Sequence, residues 1–198
     1  MVLHAYGGAP ASLDEVADDW PHELSIEHAT DARTLLFFVH PRCPCTSASI
    51  DELASLLQSL REEHRPEVRV VVRMPTGVDG DDASTNDWSD SRLRTRLAKL
   101  ASAPLIDDQG GELALRFGAT ASGVVLLYDS NGACCYRGGI TSSRGHRGPS
   151  LARRTLRSIL EGTVATGRAP VFGCALHGPE DQCCAPNTSD TPDQWSSK

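Results

Sequence analysis

The sequence predicts an α/β protein, with a mixed central sheet and helices on both faces in a three-layer sandwich. Three observations predict it. Thr34–Val39 (TLLFFV) and Val68–Arg73 (VRVVVR) are short apolar runs that read as strands, the first of them buried. Apolar residues at helical spacing follow each run, so crossover helices should join parallel strands with right-handed connections. Ser130-Asn131-Gly132 then separates two β-rich runs, which marks a hairpin and adds antiparallel strands. Helices on both faces are the stable way to bury such a sheet.

Residues 1–31 carry little periodicity and read as a loose N-terminal extension. Residues 32–162 form the domain. After the first strand, Ile50, Leu53, Leu57 and Leu60 define a helix that ends near Arg65-Pro66. Residues 74–90 are polar, acidic and Gly-containing, hence an exposed loop; Asp79, Asp81, Asp82 and Asp87 lack the spacing of an EF-hand. Ser91–Leu100 is a short helix, Pro104–Asp107 is strand-like, and Gly111–Phe117 is a helical turn or two closed by Gly118. Val124–Tyr128 and Ala133–Ile140 are the hairpin strands. Pro149–Leu160 is the last helix, with Gly162 as its stop. Residues 163–198 form a C-terminal tail, packed at first and disordered at its end.

Charge and composition narrow the function. A net charge of −7 argues against a nucleic-acid or anionic-membrane binder. No apolar run approaches the roughly 20 residues of a membrane helix, so no membrane insertion is expected. No signal-peptide core is visible in residues 1–21, so the chain as written is expected to start in the cytoplasm. Seven cysteines, odd in number and partly adjacent, do not look like a secreted disulfide framework.

The chemistry centres on Cys43-Pro44-Cys45, where the first strand hands over to a helix. A helix N-terminus offers unpaired N–H groups and the positive end of the dipole, which favour a thiolate. Pro44 suits the first helical position. Packing alone poorly explains two thiols one residue apart. In a redox reading Cys43 attacks and Cys45 resolves, through a strained and oxidising disulfide. In a metal reading the same pair offers soft ligands for Cu(I) or zinc, with Cys174 or His40 completing the set. No cofactor is required by the first reading.

His40 and Arg42 flank the pair. Either they are cations that lower a thiol pKa, or one ends a strand and the other is solvated. Arg144 and His146 lie in GGITSSRGHRG, in a loop that should face the cysteines from the same sheet edge, as a substrate or anion contact or as plain surface. Cys174 sits in an apolar clip within the polar tail (PVFGC). It is a third thiol or a buried docking residue. The tail spans up to roughly 40 Å at about 3.3 Å per residue, enough to bring Cys174 back to Cys43 or Cys45. Cys134 and Cys135 alternate faces on a strand and read as structural. Cys183 and Cys184 have no assigned role, and Arg153, Arg154 and Arg157 read as a solvated helix face.

The element order, with a cysteine motif after the first core strand, resembles the thioredoxin fold. DDQGGELALRFGATASGVVLLYDSNGACCYRGGI is similar to the second half of TlpA and peroxiredoxin domains. HPRCPCTSAS, FGATASGVVLLYD, GGITSSRGH and VFGC together resemble the bacterial RedB-type thioredoxin-like proteins. The resemblance implies a thioredoxin-like sandwich and thiol–disulfide exchange with a protein or small-molecule redox partner. It places Ala121-Ser122-Gly123 where thioredoxins carry a cis-proline, which makes Ser122 and Gly123 candidate substrate contacts. The missing proline favours metal binding, since that residue keeps metal from the thiols. RedB-type relatives often begin with a membrane anchor, which implies a cell-envelope location if one is missing from this start.

Overall fold

The computed structural model describes residues 10–21, 24, 26–76 and 91–177. The acidic stretch 77–90 and Cys183-Cys184 lie outside them. The elements are β1 (Thr34–Val39), α1 (Thr46–Ser59), β2 (Glu67–Met74), α2 (Ser91–Ala98), β3 (Ile106–Gln109), α3 (Glu112–Arg116), β4 (Val125–Tyr128), β5 (Cys134–Gly138), α4 (Leu151–Leu160) and β6 (Gly167–Arg168). They form one six-stranded mixed sheet in the order β3-β2-β1-β4-β5-β6. β1 runs parallel to β2 and antiparallel to β4, and β4 pairs antiparallel with β5. A parallel pair, an antiparallel hairpin and a closing helix around a central β1 make this a thioredoxin-like fold.

Both faces of β1 are covered, which is why its apolar run is continuous rather than alternating. Leu35, Phe37 and Val39 join one core with Leu53, Leu56, Val70, Leu127 and Leu156, beneath α1, α2 and α4. Leu36 and Phe38 face a second core with Phe117, Leu126, Tyr128, Val16, Trp20, Val171 and Leu176. That second layer has only the short helix α3, so irregular chain completes it. The segment expected to be a loose extension therefore packs over its described part. Trp20 stacks edge-on against Phe117 and Tyr128, and Cys134 N donates to Asp18 O at 2.7 Å. Leu13, Val16, Trp20 and Leu24 all pack on this core at helical spacing, yet the described residues of the segment form no helix, so that spacing does not report how they are buried.

Local signals account for the remaining elements. The Asp129 carboxylate accepts from Asn131 N and Ala133 N at 2.9 Å each, and Gly132 takes φ +85°, which closes the hairpin. The Asp108 carboxylate accepts from Leu113 N and Ala114 N and so caps α3. Ser150 caps α4 by accepting from Arg153 N at 2.9 Å, so that helix starts after Pro149 rather than at it. β3 lies two residues later than expected, at Ile106–Gln109, and β6 arises inside the segment read as tail. Two residues paired to a sheet edge are too short for any periodicity to show. Among the described residues no helix is long and apolar enough to cross a membrane.

Candidate functional site

The site lies at the carboxyl end of β1, where the chain turns from Val39 to α1. Cys43 N donates to His40 O at 3.0 Å and Thr46 N to Cys43 O at 3.1 Å, a double turn that folds the Cys43 side chain inward. Thr46 Oγ1 donates to His40 O and hydrogen-bonds Ser122 Oγ at 2.9 Å, while His40 N donates to Ser122 Oγ. Gly123 N donates to Phe38 O at 2.8 Å, and a Cβ on Gly123 would meet Ser49 Oγ at 3.2 Å. Ser122 and Gly123 thus brace the cysteine turn from below, and both are buried rather than open as the substrate contacts they were expected to be.

The N-cap is Cys45, not Cys43, and Pro44 sits outside the helix. This corrects the expected placement of Cys43 at the cap and of Pro44 at the first helical position. The turn uses one more pair of residues before helical geometry begins. Cys43 is only 4% exposed, whereas Cys45 is half-buried.

The tail supplies the reason for that burial. Val171 and Leu176 are fully buried in the second core. Between them the chain runs antiparallel to residues 120–122. Ser122 N donates to Cys174 O at 2.8 Å, Leu176 N donates to Thr120 O at 3.0 Å, and Ala121 bridges Ala175. Gly173 presses on the Ser122 carbonyl oxygen so closely that a Cβ there would overlap it. Arg73, buried on β2, donates Nε–H to Leu176 O at 2.7 Å. Cys174 is thereby set beside Cys43, with its backbone N–H 3.4 Å from the Cys43 sulfur. The expected return of the tail is what the structure contains.

The electrostatics reverse the expected activation of Cys43 and decide between the two readings left open for His40. A hydrogen bond with the Cys174 side chain raises the Cys43 pKa most, and burial raises it further. The backbone N–H groups of Cys174 and Cys45 oppose the rise without cancelling it. Cys43 is thus a protonated, inward thiol rather than an activated thiolate. Burial and the Cys43 sulfur also raise the Cys45 pKa, and the Arg144 guanidinium, which hydrogen-bonds Cys45, opposes that rise without cancelling it. Cys45 is the thiol with the cationic neighbour. His40 is not a cation here: burial, then Arg73 and Arg42, lower its pKa to about 4. Its Nδ1 accepts from Arg42 N at 3.2 Å, and the Arg42 side chain is exposed.

The loop after β5 faces the cysteines as expected, through Arg144. His146 is exposed on the same loop, with its N–H bonded to Ser143 O at 3.3 Å. What holds this loop was missed from the sequence. Glu52, 6% exposed on α1, accepts from Gly148 N at 2.6 Å and from Arg153 at 2.9 Å. Asp51 accepts from both Arg96 and Arg147. Burial pushes the Asp51 carboxyl up, yet the two guanidiniums overcome it and hold it below its ordinary range. Arg153 is therefore an ion-pair partner rather than part of a solvated face. The available signal was an acidic pair directly after Ile50 on an otherwise small and apolar helix.

Cys134 and Cys135 lie on opposite faces, one packed on each core. Among the described residues, no group of three His, Cys, Asp or Glu side chains is placed to hold a metal ion. The alternative ligand set of Cys43, Cys45 and Cys174 thus lacks a ready-made geometry.

No family model matches the chain, and no curated protein matches it. Solved structures do. A hypothetical protein from Sinorhizobium meliloti is 17% identical with a TM-score of 0.58, covering 87% of this chain and 99% of that one. An uncharacterized conserved protein from Geobacillus kaustophilus is 19% identical with a TM-score of 0.54, over 88% and 93% of the two chains. A secreted Mycobacterium tuberculosis disulfide oxidoreductase overlaps more loosely, at 14% identity and a TM-score of 0.38, over 66% and 81%. At these identities the likeness is one of fold. The class of protein that emerges is a thioredoxin-like α/β/α sandwich with a cysteine cluster where its central strand meets α1.

Proposed function

We propose that the protein is a thiol–disulfide oxidoreductase, with Cys45 meeting the substrate and Cys43 as its buried partner. The observation that carries this is the asymmetry of the pair. Cys45 is the more open thiol, stands at the N-terminus of α1 and contacts Arg144, while Cys43 lies behind it. A helix N-terminus and a guanidinium both stabilise a developing thiolate. Attack by Cys45 on a substrate disulfide gives a mixed disulfide, and Cys43 attacks Cys45 to release it. The two N–H groups aimed at the Cys43 sulfur would hold negative charge there during the second step. The roles first expected for the two thiols are thus exchanged. The RedB-type resemblance of HPRCPCTSAS and GGITSSRGH supports the same reading and the same residues, Arg144 above all.

The test is trapping. With a small aromatic disulfide as substrate, Cys43→Ser should accumulate a mixed disulfide on Cys45, seen by intact mass and peptide mapping. Cys45→Ser should accumulate none on Cys43. The opposite pattern would restore Cys43 as the attacking thiol.

A further inference from the structure

Cys43 is the middle sulfur of three. It is the hydrogen-bond partner of Cys45 on one side and of Cys174 on the other. A disulfide between Cys43 and Cys45 closes a very small ring, with strain that makes it oxidising. Cys174 reaches Cys43 from 131 residues away along the chain, so a bond between them carries no small-ring strain. It is also held in place before any bond forms. Its strand is pinned by Ser122 N–H to Cys174 O, by Leu176 N–H to Thr120 O and by the buried Val171 and Leu176. Preorganisation of this kind lowers the entropy lost on forming the bond.

We propose that Cys174 is a third thiol of the exchange centre. The resting oxidised form is then the Cys43–Cys174 disulfide, which fastens the tail strand across the edge formed by residues 120–122. This rests on the exchange reading above. Cys45 thiolate attacks one sulfur of a substrate disulfide and expels one substrate thiolate. Cys43 attacks the Cys45 sulfur, gives up its proton to the second substrate thiolate as that group departs, and leaves a Cys43–Cys45 disulfide. Two electrons have then passed to the substrate. Cys174 thiolate next attacks the Cys43 sulfur and expels Cys45 as a thiolate, which takes up the proton that Cys174 gave away. That last step is an isomerisation with no net transfer of electrons, and it returns Cys45 to the free thiol.

The fastening has a consequence for binding. The backbone N–H of Ser122 and the carbonyl of Thr120 are occupied by the tail. An extended segment of another molecule can pair there only if the tail leaves. With Cys174 reduced, the tail is held without a covalent bond, by hydrogen bonds and by the buried Val171 and Leu176. With the disulfide formed, the edge stays covered.

The test uses the full chain in a Cys183→Ser/Cys184→Ser background, which removes the other tail thiols from the mapping. The protein is oxidised with a stoichiometric aromatic disulfide, quenched with acid and digested with trypsin. The expected result is a cross-linked pair joining peptide 43–61 to peptide 169–198. It should persist in Cys45→Ser treated with a mild oxidising disulfide and vanish in Cys174→Ser. Amide exchange at Ser122 and Leu176 should slow about tenfold or more on oxidation. Two outcomes would overturn the proposal. If peptide 43–61 carries an internal disulfide and no cross-link forms, the exchange reading stands and the third thiol is removed from it. If no disulfide forms among the three thiols and the substrate is not reduced, both readings fail together.

Discussion

Among the described residues are two pairs of close cysteines, and they behave oppositely. Cys134 and Cys135 are neighbours on β5, where successive side chains point to opposite faces. One packs on each core, so their sulfurs diverge. Burial raises the Cys134 pKa to about 11 against the pull of Arg137, and it raises Cys135 as well. Cys43 and Cys45 are one residue further apart in sequence, but a double turn curls them together and the tail adds a third sulfur. Nearness in sequence is thus a poor guide to nearness of thiols. The backbone conformation between them decides whether they can react with one another.

The largest expected effect tests that contrast directly. Cys45→Ser should slow disulfide exchange by about a thousandfold or more, since the attacking sulfur is gone. Cys134→Ser and Cys135→Ser should each leave the rate within about twofold. Rates are read by following substrate thiol release. A loss of activity in either β5 variant comparable with that of Cys45→Ser would end the distinction between the pairs.

The second effect concerns the buried imidazole below the cysteine turn. His40 has a folded pKa of about 4 against an ordinary value of 6.5. Between these values the unfolded chain binds the extra proton and the native state does not, so stability rises with pH across that window. The contribution is present above about pH 6.5 and is lost as pH falls towards 4. It amounts to roughly 3 kcal/mol in all. Urea midpoints measured from pH 4 to 7 should climb in the wild type and flatten in His40→Asn. Parallel slopes in the two proteins would remove His40 from the acid response.

Gly173→Ala should cost about 1–3 kcal/mol by overpacking, because its methyl group would overlap the Ser122 carbonyl oxygen. The same change should raise the alkylation rate of Cys43, as the tail lifts from it. The rate at Cys134 should stay unchanged, since that thiol lies elsewhere on the sheet. An alkylation rate at Cys43 equal to wild type would mean that the tail does not control access. The smallest effect is electrostatic. Arg144→Gln should slow alkylation of Cys45 at pH 7 by roughly three- to tenfold, because the guanidinium offsets part of the rise in that thiol's pKa. Loss of thermal stability without a change in reactivity would make Arg144 a structural residue only.

Much of the fold was legible because its signals are local. A continuous apolar run reports a strand covered on both faces, apolar residues at helical spacing report α1 and α4, and Asn131-Gly132 reports the hairpin. From these the sheet order around β1 follows, since crossover chirality leaves few topologies. The described N-terminal segment was not legible. Val16 and Trp20 pack one at a time onto a layer short of helix, from a segment whose described residues form no helix themselves.

The candidate site divides in the same way. The residues of Cys43-Pro44-Cys45, their place at the end of a central strand and the approach of Arg144 all follow from local pattern and strand direction. Which thiol faces outward does not. The cap position depends on how the turn spends its hydrogen bonds, and the burial of Cys43 depends on a strand that returns from the far end of the chain. The charge of His40 is settled likewise by Arg73 on the neighbouring strand and by the depth of the turn. The sequence by itself determined which groups are present and which elements carry them. Only the tertiary structure decided their solvation and their charged neighbours, because both are sums over contacts between segments distant in sequence, and those two quantities set a thiol's reactivity.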